Sequence, residues 1–284
     1  MMPRIAVVGH VEHVTVGRVD AIVPGDVLHL RDARVIAAGG GGIAFAQLVR
    51  SDAEVHFFTA IGRGDTGDVV AERIRSRSAR VQLHVAAREV EHPPVVVLVD
   101  GEGRRTIVVT SPPLQPSAED PLPWPLLETC DTVYFTGADP ASLRLARRSR
   151  CLVVAARRGP VLRDARVAPD VVVGSVADPR EDAPLDAYEP APGALVLTDG
   201  PRPVRITREA GTAWIDAPPA VTHVTGDYGA GDSFAAALTF FLAHGATLEE
   251  ACREAGPYGA AVLGGIDPIA GQARLFAPAA ALRR

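Results

Sequence analysis

The sequence contains no lysine, so all 29 basic residues among its 284 are arginine. A Walker-type P-loop needs a lysine against the nucleotide phosphates, a protein kinase needs the lysine of its third strand, and a pyridoxal enzyme needs one for its Schiff base. The absence excludes these three classes. If this chain transfers phosphate, it has to use backbone amides, arginine or a metal ion.

Cysteines and long hydrophobic runs are also scarce. Cys130, Cys151 and Cys252 are widely spaced and odd in number, so we expect reduced thiols and neither disulfides nor a zinc site. No run of about 18 apolar residues is present, which excludes a transmembrane helix. The first residues lead directly into a strand-like segment, which argues against a signal peptide. We therefore expect a soluble cytoplasmic protein.

The charge and size limit the partners and the architecture. A net charge of −5 leaves no basic patch for nucleic acid. Apolar residues make up 47% of the chain, which is enough for a buried sheet. We expect residues 1–284 to form one α/β domain with a small appendage.

Short runs rich in valine and isoleucine alternate with helical patterns. Several of these runs are apolar throughout, as in strands buried on both faces of a parallel sheet. The strand candidates are residues 5–8, 55–59, 95–99, 132–135, 152–155, 171–173 and 195–198, and the helix candidates are residues 43–50, 68–75, 141–148 and 234–243. The alternation predicts a doubly wound, mostly parallel sheet flanked by helices.

Two segments, at about residues 14–37 and 81–109, are rich in strand-forming and turn residues and show no helical pattern. We expect them to form a small antiparallel sheet that projects from the main body. The open face of such a sheet needs a cover, which predicts a lid over an active site or a homodimer contact.

A glycine-rich turn, Gly229-Ala230-Gly231, leads into Asp232 and an apolar helical pattern. The unpaired N–H groups and the dipole at a helix start attract anions, and small residues let a phosphate approach the backbone. A carboxylate there would repel phosphate unless it takes a proton from an attacking hydroxyl. The alternative interpretation is an aspartate N-cap behind a flexible turn.

The string at residues 225–234, which contains GAGDSF, resembles the C-terminal signature of PfkB-type carbohydrate kinases. The resemblance implies a ribokinase-like α/β fold with a small β-sheet lid, ATP and Mg²⁺ as cofactors, and a sugar-like acceptor. It also implies that Asp232 is the catalytic base and that the amides of Gly229, Ala230 and Gly231 form the anion hole.

Further matches on the acceptor side occur in family order. Gly40 and Gly41 resemble the diglycine motif that packs against the acceptor, and Arg105 lies in a segment similar to the lid turn D-x-x-G-x-R-T. Glu12 is the polar residue where the family has its early N-x-D segment. The resemblance implies that these four residues bind the substrate.

Matches on the nucleotide side are shorter. Thr198 and Gly200 resemble the T-x-G stretch that borders the nucleotide. Gly256 and Tyr258 fall where we expect the last long helix to end, and in the family that loop flanks the adenine. Asp178 closes a segment similar to the N-x-x-E motif, which is associated with the metal and the phosphates, so Asp178 is the predicted metal residue.

The sequence departs from the family pattern at three motif positions that are usually polar. Ala44 replaces an asparagine that binds sugar hydroxyls, Ser175 opens the N-x-x-E segment, and Gly226 replaces an aspartate near the potassium site. The departures favour an acceptor other than ribose. They keep a nucleoside kinase, or a catalytically weak nucleotide- or sugar-binding protein, as alternatives.

A dehydrogenase is a further alternative, because Gly62, Gly64 and Gly67 match the dinucleotide fingerprint between a strand and a helix. The acidic residue expected about 20 positions later would have to be Glu89. Against this reading, the motif lies in a later βα unit, and an arginine and an aspartate occupy its turn.

The expected reaction is in-line transfer of the γ-phosphoryl group of Mg-ATP to an acceptor hydroxyl, with Asp232 taking the proton. Closure of the lid would exclude water, which competes as an acceptor. Arg157 and Arg158 follow another predicted strand, and each could clamp an anion or simply be solvated.

Overall fold

The computed structural model describes residues 2–78 and 81–277, which contain thirteen strands in two sheets. The strands are β1 (Arg4–Val8), β2 (Glu12–Arg18), β3 (Arg31–Ala38), β4 (Glu54–Arg63), β5 (Val81–Glu91), β6 (Pro94–Val99), β7 (Arg105–Val109), β8 (Thr132–Phe135), β9 (Leu152–Ala155), β10 (Val171–Ser175), β11 (Ala194–Asp199), β12 (Arg202–Arg208) and β13 (Gly211–Ile215). The larger sheet has nine strands in the order β13-β12-β11-β10-β9-β8-β1-β4-β5. The smaller sheet has four, in the order β3-β2-β6-β7.

The described ranges contain seven α-helices. They are α1 (Gly39–Leu48), α2 (Gly64–Arg75), α3 (Pro140–Ala146), α4 (Gly159–Ala165), α5 (Ala230–Ala243), α6 (Leu248–Ala261) and α7 (Pro268–Gly271). None of them, within those ranges, has the length and hydrophobicity needed to cross a membrane.

The larger sheet is parallel except at one edge, where β11, β12 and β13 pair antiparallel. β1 pairs in parallel with β4 on one side and with β8 on the other. Its residues Ile5 to Val8 are fully buried, which explains why the central strands are apolar on both faces. The strands predicted from the apolar runs are all confirmed, whereas the β12–β13 hairpin and α4 were not predicted.

Helices cover both faces of the larger sheet, as a doubly wound fold requires. On one face, α1, α2, α5 and α6 bury a cluster that includes Phe45, Ile74 and Phe240. On the other face, α3 and α4 pack through Leu143 and Leu162. All parallel strand ends therefore open at one edge, where such sheets bind ligands.

The smaller sheet corrects the predicted lid at two points. The segment 81–109 divides, because β5 pairs in parallel with β4 at the edge of the larger sheet and only β6 and β7 join the smaller one. The smaller sheet is also mixed, since β2 pairs in parallel with β6. Leu83 and Val85 pack against the main core, and this contact draws β5 to the larger sheet.

The helix α6 starts as its sequence suggests but ends later. Thr247 and Glu250 form a capping box, which satisfies N–H groups at the helix start. The helix then continues through Pro257 to Ala261, so the predicted end at Gly256 is wrong. This extension decides which residues of the segment face the ligand cleft.

Candidate active site

A cleft of about 340 Å³ opens at the carboxyl-terminal edge of the larger sheet. Its walls come from the ends of β9, β10 and β11, from the turn and first residues of α5, from one face of α6, and from β7 of the smaller sheet. The smaller sheet, which was predicted to be a lid, therefore contributes one wall of this cleft. Asp232 and all three predicted anion-hole residues line this cleft.

The turn before α5 has a backbone that only glycine accommodates easily. Gly229 has a φ of +80°, and a Cβ there would lie 2.6 Å from Cβ of Pro268. The N–H of Ala230 donates to the carbonyl of Asp227 at 3.3 Å, so this amide is already engaged. A Cβ on Gly231 would meet no atom within 4 Å. The open N–H groups are thus at Gly231 and Asp232, in the first turn of the helix.

Asp232 lies against the start of α1. A Cβ on Gly40 would come within 3.2 Å of Oδ1 of Asp232, and a Cβ on Gly41 would come within 2.6 Å of the carbonyl oxygen of His10. Both predicted diglycine residues are therefore small because the helix start closely approaches the carboxylate of Asp232 and the backbone of His10, just after β1. The N–H of Gly40 donates to Nε2 of His10 at 3.3 Å.

Glu12 borders the same place. Its carboxylate lies 3.6 Å from Nε2 of His10. Burial and the nearby charge of Asp232 raise the pKa of Glu12 to about 7. Burial and the charges of Arg158 and Arg157 lower the pKa of His10 to about 3. At neutral pH the imidazole is therefore neutral, and Glu12 is the group of this pair that titrates.

The smaller sheet directly contacts the turn that precedes α5. Arg105 at the start of β7 forms an ion pair with Asp227, and both residues line the cleft. A Cβ on Gly226 would lie 3.2 Å from Cγ1 of Val99, and one on Gly103 would lie 3.2 Å from the carbonyl oxygen of Thr225. Arg105 is therefore in the cleft wall, as predicted, but with a carboxylate partner that the sequence did not indicate.

The chain matches the model of the pfkB family of carbohydrate kinases over residues 2–173 and 180–272. It belongs to this family. No curated protein sequence matches the chain.

Solved structures show that the fold is ribokinase-like. The chain is 17% identical to a ribokinase from Thermotoga maritima, with a TM-score of 0.77 and coverage of 96% of this chain and 97% of that one. An adenosine kinase from Sinorhizobium meliloti is 15% identical, with a TM-score of 0.75 and coverage of 94% and 96%. A ribokinase from Arabidopsis thaliana, solved with ribose and ATP, is 14% identical, with a TM-score of 0.75 and coverage of 96% of both chains.

The glycines that match the dinucleotide fingerprint have a structural role in this fold. Gly62, Gly64 and Gly67 do not line the cleft. A Cβ on Gly67 would lie 2.1 Å from the carbonyl oxygen of Gly62, so the glycines allow close packing of α2 against β4. The dehydrogenase reading is not supported.

Part of the set predicted to bind the nucleotide lies along the cleft. Thr198, Gly200 and Gly256 line the cleft, together with Gly259 of the same helix. Tyr258 does not: its hydroxyl donates to the carbonyl of Arg274 at 3.4 Å. Because α6 continues past Gly256, a residue two positions later points to the opposite side, whereas one three positions later shares its face. Tyr258 therefore lies outside the cleft, contrary to the prediction.

The magnesium ion that the family implies can be tested against the acidic residues of the cleft. Arg180 donates from Nε to Oδ1 of Asp178 at 3.0 Å and from Nη2 to Oδ2 at 2.7 Å, and this pairing lowers the pKa of Asp178 to about 2. Among the described residues no group of three or more potential ligands converges. The residues present would leave such an ion to nucleotide phosphates and water, and ionised Asp178 is the acidic residue that would help to hold it.

Several cleft residues were not in the predicted site, and Glu181 and Arg157 are two of them. Glu181 lies in a proline- and acid-rich loop, where an acidic residue gives no distinct signal. Arg157, at the end of β9, was ambiguous with its neighbour Arg158. The structure separates them, because Arg157 lines the cleft while Nε of Arg158 donates to the carbonyl of Thr136 at 2.9 Å. The available sequence signal for Arg157 as a cleft residue was its position after a predicted buried strand.

Proposed function

We propose that the chain transfers the γ-phosphoryl group of ATP to a hydroxyl of a sugar or sugar-like small molecule. The proposal depends on one observation: the carboxylate of Asp232 and the unpaired N–H groups at the start of α5 lie in the same cleft. Family membership supports a kinase acting on small hydroxylated acceptors. The fold shared with a ribokinase solved with ribose and ATP points to the same chemistry.

In the proposed reaction, Asp232 accepts the proton of the acceptor hydroxyl. The acceptor oxygen forms a bond to the γ-phosphorus, the bond from that phosphorus to the bridging oxygen breaks, and ADP leaves. The N–H groups of Gly231 and Asp232 and the dipole of α5 stabilise the charge on the phosphoryl oxygens. Gly229 is needed for the turn that aims these groups at the cleft.

The nucleotide occupies the side of the cleft formed by Thr198, Gly200 and the face of α6 that carries Gly256 and Gly259. Magnesium, bound to the nucleotide, would neutralise phosphate charge. Asp178 would hold the ion through water, since Arg180 already occupies both of its oxygens.

The acceptor binds on the other side of Asp232, between Glu12 and the glycines Gly40 and Gly41. Ala44 is fully buried and belongs to the main core, so it provides no hydrogen bond to an acceptor. With Glu12 as the acidic group there, polyols other than ribose are favoured. Nucleosides remain in the set of acceptors because an adenosine kinase shares the fold.

The test is a screen for ADP release and acceptor phosphorylation across sugars, polyols and nucleosides, with the wild type and Asp232→Asn. We expect one acceptor class to be phosphorylated. We expect the variant to lose at least about 10²-fold to 10⁴-fold in kcat, the usual range for a general base, with little change in ATP affinity. Nucleotide binding without transfer to any acceptor would instead favour a binding protein. Near-normal turnover of Asp232→Asn would reject the catalytic assignment.

A further inference from the structure

Arg157 follows β9 and projects into the cleft. Arg157 lines the main cleft and also a smaller recess that Asp232 and Gly231 border. Its side chain is 41% exposed. The recess is where a phosphoryl group near the start of α5 would lie, because the open N–H groups of the helix face the same space.

The guanidinium is held from behind by a carboxylate that is itself fixed. Nε of Arg157 lies 2.9 Å from Oε1 of Glu181, whose side chain is only 7% exposed. The other oxygen of Glu181 accepts the N–H of Ser175 at 3.0 Å. A Cβ on Gly174 would lie 3.1 Å from Cβ of Glu181, so the acid has little room to move. Glu181 therefore anchors Arg157 rather than binding a ligand.

Arg157 stays positively charged in this position. Burial works against the ionised form, but the carboxylates of Asp232 and Glu181 outweigh it and raise the pKa of Arg157. The anchor uses Nε, and neither terminal nitrogen of Arg157 shows a hydrogen bond to any residue in the described ranges. These two nitrogens form the fork with which arginine contacts two oxygens of a phosphate.

The other arginines of the cleft are used differently. Arg180 directs Nε and Nη2 to the two oxygens of Asp178, and Arg105 pairs with Asp227. The chain has no lysine, and it has no asparagine either. Among the cleft arginines of the described residues, Arg157 is thus the one whose terminal nitrogens make no hydrogen bond to a carboxylate.

We propose that Arg157 binds the γ-phosphoryl group and stabilises its charge during transfer. In other phosphoryl-transfer enzymes a lysine or an arginine supplies this positive charge. The inference rests on the proposed kinase function and adds the residue that carries this charge. Arg157 gains and loses no proton; it keeps two donors on the equatorial oxygens while the bond to the bridging oxygen breaks and the bond to the acceptor oxygen forms.

The test compares nucleotides that differ in the γ-phosphoryl group. The affinities of ADP and of the β,γ-imido analogue of ATP, both with Mg²⁺, are measured by calorimetry for the wild type, Arg157→Gln and Arg208→Gln. Arg208 pairs with Glu249 at 2.8 Å, and neither residue lines the cleft, so its variant is a matched control for losing an Arg–Glu pair. We expect Arg157→Gln to weaken the analogue by roughly tenfold or more relative to ADP, and Arg208→Gln to leave the ratio unchanged.

A second variant guards against misfolding. Arg157→Gly is assayed for turnover with and without added guanidinium ion, and we expect the ion to restore part of the activity, whereas it restores none to Asp232→Asn. The assignment of Arg157 would be overturned if Arg157→Gln lost equal affinity for ADP and for the analogue. It would also be overturned if that variant lost no affinity and kept full turnover. In both cases the kinase proposal stands. If the wild type binds neither nucleotide, the kinase proposal fails and this inference fails with it.

Discussion

Glu12 offers a quantitative test of the site, because its pKa is raised from 4.5 to about 7, first by burial and second by the charge of Asp232. Its side chain is 12% exposed, so solvent screens this effect little. A carboxyl with a higher pKa in the folded than in the unfolded state holds its proton more tightly when folded. Its contribution to stability is complete below pH 4.5 and is lost as the pH rises through about 7.

The perturbation is Glu12→Gln, which removes the titration and keeps the size of the side chain. At about 1.4 kcal/mol for each pKa unit, the wild type loses about 3 kcal/mol across this pH window. We therefore expect Glu12→Gln to be more stable than the wild type by up to about 3 kcal/mol at about pH 8, and to show no such gain at about pH 4. Urea denaturation of both proteins at a series of pH values measures the difference.

Two controls identify the cause. In an Asp232→Asn background, Glu12→Gln should gain less, because the neighbouring charge is gone. Glu249 is the opposite case: its hydrogen bond with Arg208 lowers its pKa, so Glu249→Gln should cost stability at neutral pH and cost less in acid. The reasoning would be refuted if the difference in unfolding free energy between Glu12→Gln and the wild type did not vary with pH. It would also be refuted if Glu12→Gln were less stable than the wild type at about pH 8.

The remaining predictions concern the turn, the ions and the assembly. Gly229→Ala should lower the free energy of unfolding by about 2–5 kcal/mol, because of the left-handed backbone and the contact with Pro268. Gly231→Ala places its Cβ in open space, so this variant should be as stable as the wild type but bind ATP more weakly. Denaturation measures the stability of both variants, and calorimetry measures their ATP affinity. Turnover should be the same in potassium and sodium salts, because Gly226 offers no carboxylate and Val99 occupies its side-chain space; activation by potassium would contradict this. The chain should form a homodimer through the smaller sheet, whose Val108 is 48% exposed; light scattering should show a dimer that Val108→Asp dissociates, and a monomeric wild type would exclude it.

Much of the fold follows from local patterns. The buried runs at β1, β8 and β9 were predicted nearly to the residue, because strands covered on both faces must be apolar throughout. β12 and β13 were missed: their exposed and charged residues give an edge hairpin little apolar pattern. Arg157 and Arg158, adjacent in the chain, could not be told apart, since only Glu181 and the carbonyl of Thr136 direct them to different places.

The sequence alone determined the glycine-rich turn and the aspartate at the start of α5, because the bend, the helix start and the acid are consecutive residues whose geometry is local. It also determined the order of the apolar strands and of the helices between them, apart from α4, and excluded every mechanism that requires lysine. Tertiary structure decided which side of α6 faces the cleft, the sheet that β5 joins, and the ion pair between Arg105 and Asp227. Each of these depends on contacts between segments far apart in the chain, and such contacts leave no period or motif within either segment.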